Sequence, residues 1–342
     1  RTRLRAVEYE IAIAKGHLER AEQLAHARLT AAEQACPDGC LDTVLALHEL
    51  AQVSWYLGRA EDALELSSRG HRLSIAELGA RHEQSLELAQ LRANVLAELG
   101  ESDESIVVLE EILALRTLTA ASDSATVVST RFALAQALAG QPARAAEAEA
   151  TYRRVVEDAT QGRHEHFVGM ATSALGSLYF RRGELAWALA ADRRAIEILE
   201  RVHGGGYPQL ATLVNNHAVH LAAADDAAGA LEAALRAWDM WHAVSPEPSP
   251  QDAAFLQNIA RQLITLARPE EALPWLERAL AVTDSEPTSG PGTASRMTMA
   301  DALLALGRSA QADQLRVEAR RRCAELSVER RAAAKCALIP PP

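Results

Sequence analysis

A turn residue recurs along this chain at nearly constant spacing: Gly16, Gly58, Gly100, Gly140, Gly183, Asp225, Ala267 and Gly307, in steps of 40 to 43 residues. Each is framed by small residues. Seven positions earlier stand Ala51, Ala93, Ala133, Gly176, Ala218, Ala260 and Ala300; five positions later stand Ala63, Ser105, Ala145, Ala188, Ala230, Ala272 and Ala312. Self-similarity at a fixed period constrains the fold more tightly than any local signal. The small residues have a packing reason. Where two helices of a hairpin meet closely, a larger side chain forces the axes apart, at about 1–3 kcal/mol. A third small position in the second helix (Gly70, Ala195, Ala237, Ala279, Ala319) is softer, broken by Arg28, Ile112 and Tyr152.

The connections carry breakers at the same period: Cys36–Cys40, Thr119–Ser124, Thr160–Arg163, Gly204–Pro208, Ser245–Pro250 and Asp284–Gly292. Eight helical hairpins follow, over about 2–35, 41–78, 83–118, 125–159, 166–202, 208–243, 251–283 and 293–325, with one frayed tail at 335–342. The first hairpin carries Tyr9 where the others have a small residue, as expected of a terminal repeat with one face uncovered. A length of 342 residues suggests about two globular domains. The repeat overrides that expectation, because an array grows by addition and 1–334 forms a single one.

The pattern of a small residue in helix A, a turn glycine and alanines in helix B resembles the tetratricopeptide repeat. The spacing here is longer than that repeat's usual ~34 residues and is similar to the variant of kinesin light chains and bacterial signalling proteins. Tyr207-Pro-Gln-Leu-Ala211 followed by Val214-Asn-Asn-His-Ala218 resembles that variant's HP-x-V-A and LNNLA; Arg81-His-Glu83 is a fainter copy. The resemblance spans residues 3–325. It implies an all-α, right-handed α-solenoid of about eight helix-turn-helix repeats.

It also implies where a ligand would lie, since the inner faces of the A helices line the groove of such arrays. Counting back from each turn places His48, Gln52, Trp55, Tyr56, Gln90, Asn94, Arg131, Ser177, Phe180, Arg181, Asn215, Asn216, Gln257, Asn258 and Arg261 on those faces. Amides can donate to and accept from an extended peptide backbone without net charge. Arginines can add bidentate carboxylate recognition, and aromatics apolar pockets. The same amides could instead bridge neighbouring helices, and the same aromatics could be core. The family's carboxylate clamp uses helix-A lysines, which these positions lack, so a chaperone-adaptor mode is not expected.

Composition narrows the function. The formal net charge is −11 and the pI about 5.5, the wrong sign for a chain whose main ligand is nucleic acid. Arg320–Arg322 with Arg330 and Arg331 is a local basic cluster that reads as a solvated helix face. No apolar run is long enough to span a bilayer, and there is no secretory signal pattern, so a cytoplasmic location is expected. The first residue is Arg1 and not Met, which predicts a piece of a longer polypeptide, such as a Ser/Thr kinase or a nucleotide-switch ATPase.

No nucleophile elbow, Walker loop or HExxH motif occurs, and Gly204-Gly-Gly206 is not followed by GK[ST]. No enzyme activity, metal or cofactor is expected. His164 and His166 flank Glu165, and His217 and His220 lie one turn apart; each pair could hold a metal or pack. Cys36 and Cys40 enclose Pro-Asp-Gly; they could be incidental thiols, a disulfide in an oxidising compartment, or, with Cys323 and Cys336, part of a metal site. The reading is a non-catalytic scaffold or sensor that binds an extended peptide or protein partner. Its rivals are a self-associating structural adaptor and a small-ligand or metal binder using the His217/His220 face.

Overall fold

A computed structural model describes residues 2–14, 17–284 and 290–325. Gly16, Pro287, Arg330, Arg331, Cys336 and the segment 335–342 lie outside the described residues. Among those described, the chain is built of sixteen α-helices, one short 3-10 turn and no strand. The contacts divide it into two compact units, Arg1–Ala174 and Leu175–Pro342.

Unit 1 contains α1 (Thr2–Ala14), α2 (Leu18–Ala35), α3 (Leu41–Tyr56), α4 (Ala60–Leu78), α5 (Glu83–Glu98), α6 (Ser102–Thr117), α7 (Ala125–Ala139) and α8 (Ala145–Gln161). The boundary falls within α9 (Glu165–Arg181). Unit 2 continues through α10 (Leu185–His203), α11 (Pro208–Ala223), α12 (Ala227–Val244), α13 (Asp252–Thr265), α14 (Pro269–Asp284), α15 (Gly290–Ala305) and α16 (Ser309–Glu325). Within each unit, consecutive helices pack on one another, and each A helix also touches the next A helix, as α3 does α5 and α11 does α13.

The hairpins close where the small residues stand. Ala51, Ala63, Ala93, Ala188, Ala230, Ala260, Ala272, Ala300 and Ala312 are fully buried. In the third hairpin Ser105 donates from Oγ to the Ala93 carbonyl at 2.7 Å, so the hydroxyl is satisfied at the contact. Gly70 is tighter still: a Cβ there would lie 3.0 Å from Leu88 Cδ2 and 3.2 Å from Leu47 Cβ. Around these contacts run small apolar clusters, such as Tyr9, Leu24, Leu47 and Leu50 in unit 1 and Ala300, Leu303 and Ala312 in unit 2.

The turns follow the expected register with one exception. Gly58, Gly100, Gly183 and Gly307 have φ between +72° and +89°, and Asp225 and Ala267 adopt +60° and +56° without being glycine. Asp tolerates this region, whereas alanine there costs roughly 1–2 kcal/mol. Ala267→Gly is therefore expected to stabilise unit 2 by about 0.5–1 kcal/mol, net of the flexibility that glycine adds to the unfolded chain. An upward shift of the urea midpoint would show it; an unchanged or lower midpoint would mean that the turn carries no strain.

The fourth hairpin departs from the predicted register. Gly140 has φ −66°, and Pro142–Arg144 form a 3-10 turn before α8 starts at Ala145. Proline fixes φ and lacks an N–H, which delays the helix. The close-contact position consequently moves by three residues: Ala148 is fully buried, not Ala145, and Val155 is buried beside Tyr152.

Candidate functional site

The predicted A-helix residues separate into two columns. One column stands ten residues before each turn and is occupied by contacts between repeats. His48 is half-buried, with Nδ1 4.0 Å from the Glu87 carboxylate, and burial holds its imidazole below the ordinary value. Gln90 Oε1 accepts from Arg116 Nη1 at 2.6 Å and from Thr130 Oγ1 at 2.9 Å. Asn215 Oδ1 accepts from Asn258 Nδ2 at 3.0 Å, and Gln257 Nε2 donates to Ser295 Oγ at 2.7 Å. These amides bridge successive A helices, so their hydrogen-bonding capacity is largely used internally.

The second column stands six residues before the turn. Gln52, Asn94 and Ser177 are partly exposed there and Arg261 is exposed. Gln52 still takes part in a local chain, accepting from Tyr9 Oη at 3.2 Å and donating to Tyr56 Oη at 3.3 Å. Asn216, between the columns, is partly exposed as well. Trp55 and Tyr56 stack with ring centroids 5.8 Å apart; Trp55 donates to the Glu98 carboxylate, and Tyr56 is 46% exposed. In unit 1, α3 and α5 thus present Gln52, Trp55, Tyr56 and Asn94 along adjacent A helices. In unit 2, α11 and α13 present Asn216 and Arg261.

Three predicted residues have other roles. Arg131 is mostly buried and donates to Asp158, itself fully buried and also bound by Arg154. Phe180 stacks on His220 with centroids 4.2 Å apart. Arg181, at the end of α9, is exposed and engaged with other groups.

The His217/His220 pair is neither a plain packing substitute nor a bare metal pair. Both side chains turn their Nδ1 to one oxygen of Asp192 on α10, at 3.1 and 2.6 Å. Asp192 is 1% exposed. Burial pushes its carboxyl up, but the hydrogen bonds and charge attraction of the two histidines pull it below its ordinary value. Its other oxygen, Oδ1, faces Gly176, where a Cβ would sit only 2.7 Å away. His164 hydrogen-bonds the Asp123 carbonyl at 2.9 Å and His166 packs against the edge of Phe167. Among the described residues no group of three or more metal-ligating side chains could hold a metal ion, and no helix is long and apolar enough to cross a membrane.

The sequence reading missed the buried polar centres around Arg116 and Arg296. Arg116, 4% exposed, binds Glu83, Gln90, Thr130 and the Thr126 carbonyl, and so joins α5, α6 and α7. Arg296 of α15 binds Asp284 of α14 at 2.6 Å. Beside Asp192, a concavity of about 580 Å³ is lined by Arg193, Glu197, Glu200, Arg201, His217 and Arg236 of α10, α11 and α12.

No family model matches the chain, and no curated protein matches it. Solved structures do. The apo quorum sensor NprR from B. thuringiensis matches with a TM-score of 0.69 at 12% identity, over 93% of this chain and 86% of that one. A Rap protein complexed with Competence and Sporulation Factor matches at 0.64 and 13%, over 98% of both chains. A signal transduction ATPase with a tetratricopeptide repeat sensor, from Pyrococcus horikoshii, matches at 0.62 and 13%, over 91% of this chain but 48% of that one. This chain has the fold of a tetratricopeptide-type helical-repeat protein.

Proposed function

We propose that the protein is a non-catalytic recognition module that binds an extended peptide or a protein segment along the A-helix faces. The observation that carries the reading is the sorting of the A-helix polar residues. Within each unit the inner column is tied up between repeats, while Gln52 and Asn94 in unit 1, and Asn216 and Arg261 in unit 2, have surface to offer. A rigid inner column holds the outer one in place, so little ordering entropy would be lost on binding. Amides along the face suit main-chain donors and acceptors, Arg261 suits a carboxylate, and the Trp55–Tyr56 pair suits an apolar side chain. Structures of the same fold include a quorum sensor, a complex with a sporulation factor and the sensor portion of an ATPase, which supports a sensing role within a larger signalling polypeptide.

The test is selection from a library of displayed peptides, followed by affinity measurement on two variants. Gln52→Ala/Asn94→Ala probes unit 1, and Asn216→Ala/Arg261→Ala probes unit 2. All four residues are at least partly exposed, so folding should be preserved. Loss of at least about tenfold in affinity, or roughly 1.4 kcal/mol, is expected in one or both. Selected peptides that bind both variants as tightly as the parent would exclude the A-helix faces.

A further inference from the structure

The loop between α2 and α3, Cys36-Pro-Asp-Gly-Cys40, brings two unlike thiols together. Both cysteines are free and partly exposed. Cys36 terminates α2 and Cys40 is the N-cap of α3. Between them the Gly39 N–H donates to the Cys36 carbonyl at 3.0 Å, closing a turn that folds the chain back on itself. Gly39 has φ +97°, and a Cβ there would lie 2.5 Å from Leu73 Cδ1, so the turn is fixed against α4.

The two sulfurs sit in opposite environments. Cys40 caps the start of α3, where its Sγ lies 3.6 Å from Thr43 Oγ1. Such a helix start favours a thiolate, and the neighbouring Cys36 thiol together with Thr43 holds the Cys40 thiol below its ordinary range. Cys36, with the Cys40 sulfur as its neighbour and Asp42 and Glu77 nearby, is held above it. One thiol is therefore equipped to attack and its neighbour to resolve.

We infer that Cys36 and Cys40 form a reversible oxidation site for hydroperoxides, in which Cys40 is the attacking sulfur and Cys36 the resolving one. The Cys40 thiolate attacks one peroxide oxygen. The O–O bond breaks, and the departing oxygen takes a proton to leave as water or an alcohol. Cys40 is left as a sulfenic acid. The Cys36 sulfur then attacks the Cys40 sulfur, the S–O bond breaks, and hydroxide leaves with the Cys36 proton as water. In sum, one hydroperoxide is reduced and two thiols become one disulfide. The bond would fasten the end of α2 to the start of α3, the junction also spanned by the Arg28–Glu49 ion pair.

The experiment treats the whole chain with hydrogen peroxide and maps the peptide containing residues 36–40 by mass spectrometry. In the parent protein that peptide should lose two hydrogen atoms and regain them with dithiothreitol. Cys36→Ser should leave a sulfenic acid on Cys40 that dimedone captures, whereas Cys40→Ser should give no adduct on Cys36 at the same dose. Before oxidation, limiting iodoacetamide should label Cys40 ahead of Cys36 in the unmutated chain, a readout independent of how either variant folds. Preferential labelling or trapping at Cys36, disulfides between molecules, or an untouched peptide would each overturn the assignment.

Discussion

Gly176→Leu is expected to destabilise unit 2 by about 3 kcal/mol or more, seen as a large fall in the urea midpoint of that unit. The reasoning begins with the space above α10. A Cβ at position 176 would stand 2.7 Å from Asp192 Oδ1, 3.3 Å from Ala191 Cβ and 3.4 Å from the Ala188 carbonyl. Two of these three neighbours are the methyl and backbone of the facing helix, which move only if the helix moves. The third is a carboxylate held by His217 and His220 through its other oxygen. A leucine must therefore either push α10 away or swing Asp192 out of its hydrogen bonds. Overpacking costs roughly 1–3 kcal/mol, and leaving a buried donor unpaired adds about 1–3 kcal/mol more. Gly176→Ala, which adds the Cβ alone, should fall between the two. Parent-like stability in Gly176→Leu would mean that α9 and α10 do not meet at this residue.

The same site shows what the sequence could and could not convey. The period, the turns and the close contacts were legible, because each hairpin repeats one steric problem and solves it with the same kind of residue. Even the turns lacking glycine, Asp225 and Ala267, take up the left-handed conformation that their places in the period demand. The three-residue shift in the fourth hairpin was not legible from spacing alone, although Pro142 was a signal for it. The use of the A-helix amides was also hidden. Gln90 and Asn94 are four apart and lie on nearly one face, yet only Gln90 finds Arg116 and Thr130, and those partners come from other helices. Asp192 did leave a trace that went unread. Nine residues after their turns, five of the other hairpins carry Ala25, Ser67, Leu109, Ala234 and Leu276 and two carry Glu149 and Arg316; an acid there, opposite the one hairpin with glycine in place of alanine, marks a buried polar centre.

Unit 1 should lose stability as the pH rises from about 5 to about 8, and Glu49 is the group responsible. Its side chain is mostly buried against Arg28 of α2, in a pair that brings α2 and α3 together. The pairing is incomplete: Glu49 Oε2 and Arg28 Nε are buried without a hydrogen-bond partner. Burial therefore outweighs the attraction of Arg28, Glu10 adds repulsion, and the Glu49 carboxyl is pushed up from 4.5 to about 7. Desolvation exceeding Coulombic gain is a known outcome for buried ion pairs. A carboxyl whose folded value is raised binds its proton more tightly in the folded state than in the unfolded one. Its contribution is fully present below the unfolded value near 4.5 and is lost as the pH climbs through about 7. The change is roughly 2–3 kcal/mol across that window. Glu49→Gln keeps the shape and mimics the protonated form, so it should flatten the pH dependence and match the parent near pH 5. By pH 8 the variant should be the more stable of the two, as read from urea midpoints across the range. The opposite order at pH 8, with Glu49→Gln far less stable than the parent, would show that the charge of Arg28 dominates this contact and that the ion pair itself fastens the first hairpin to the second.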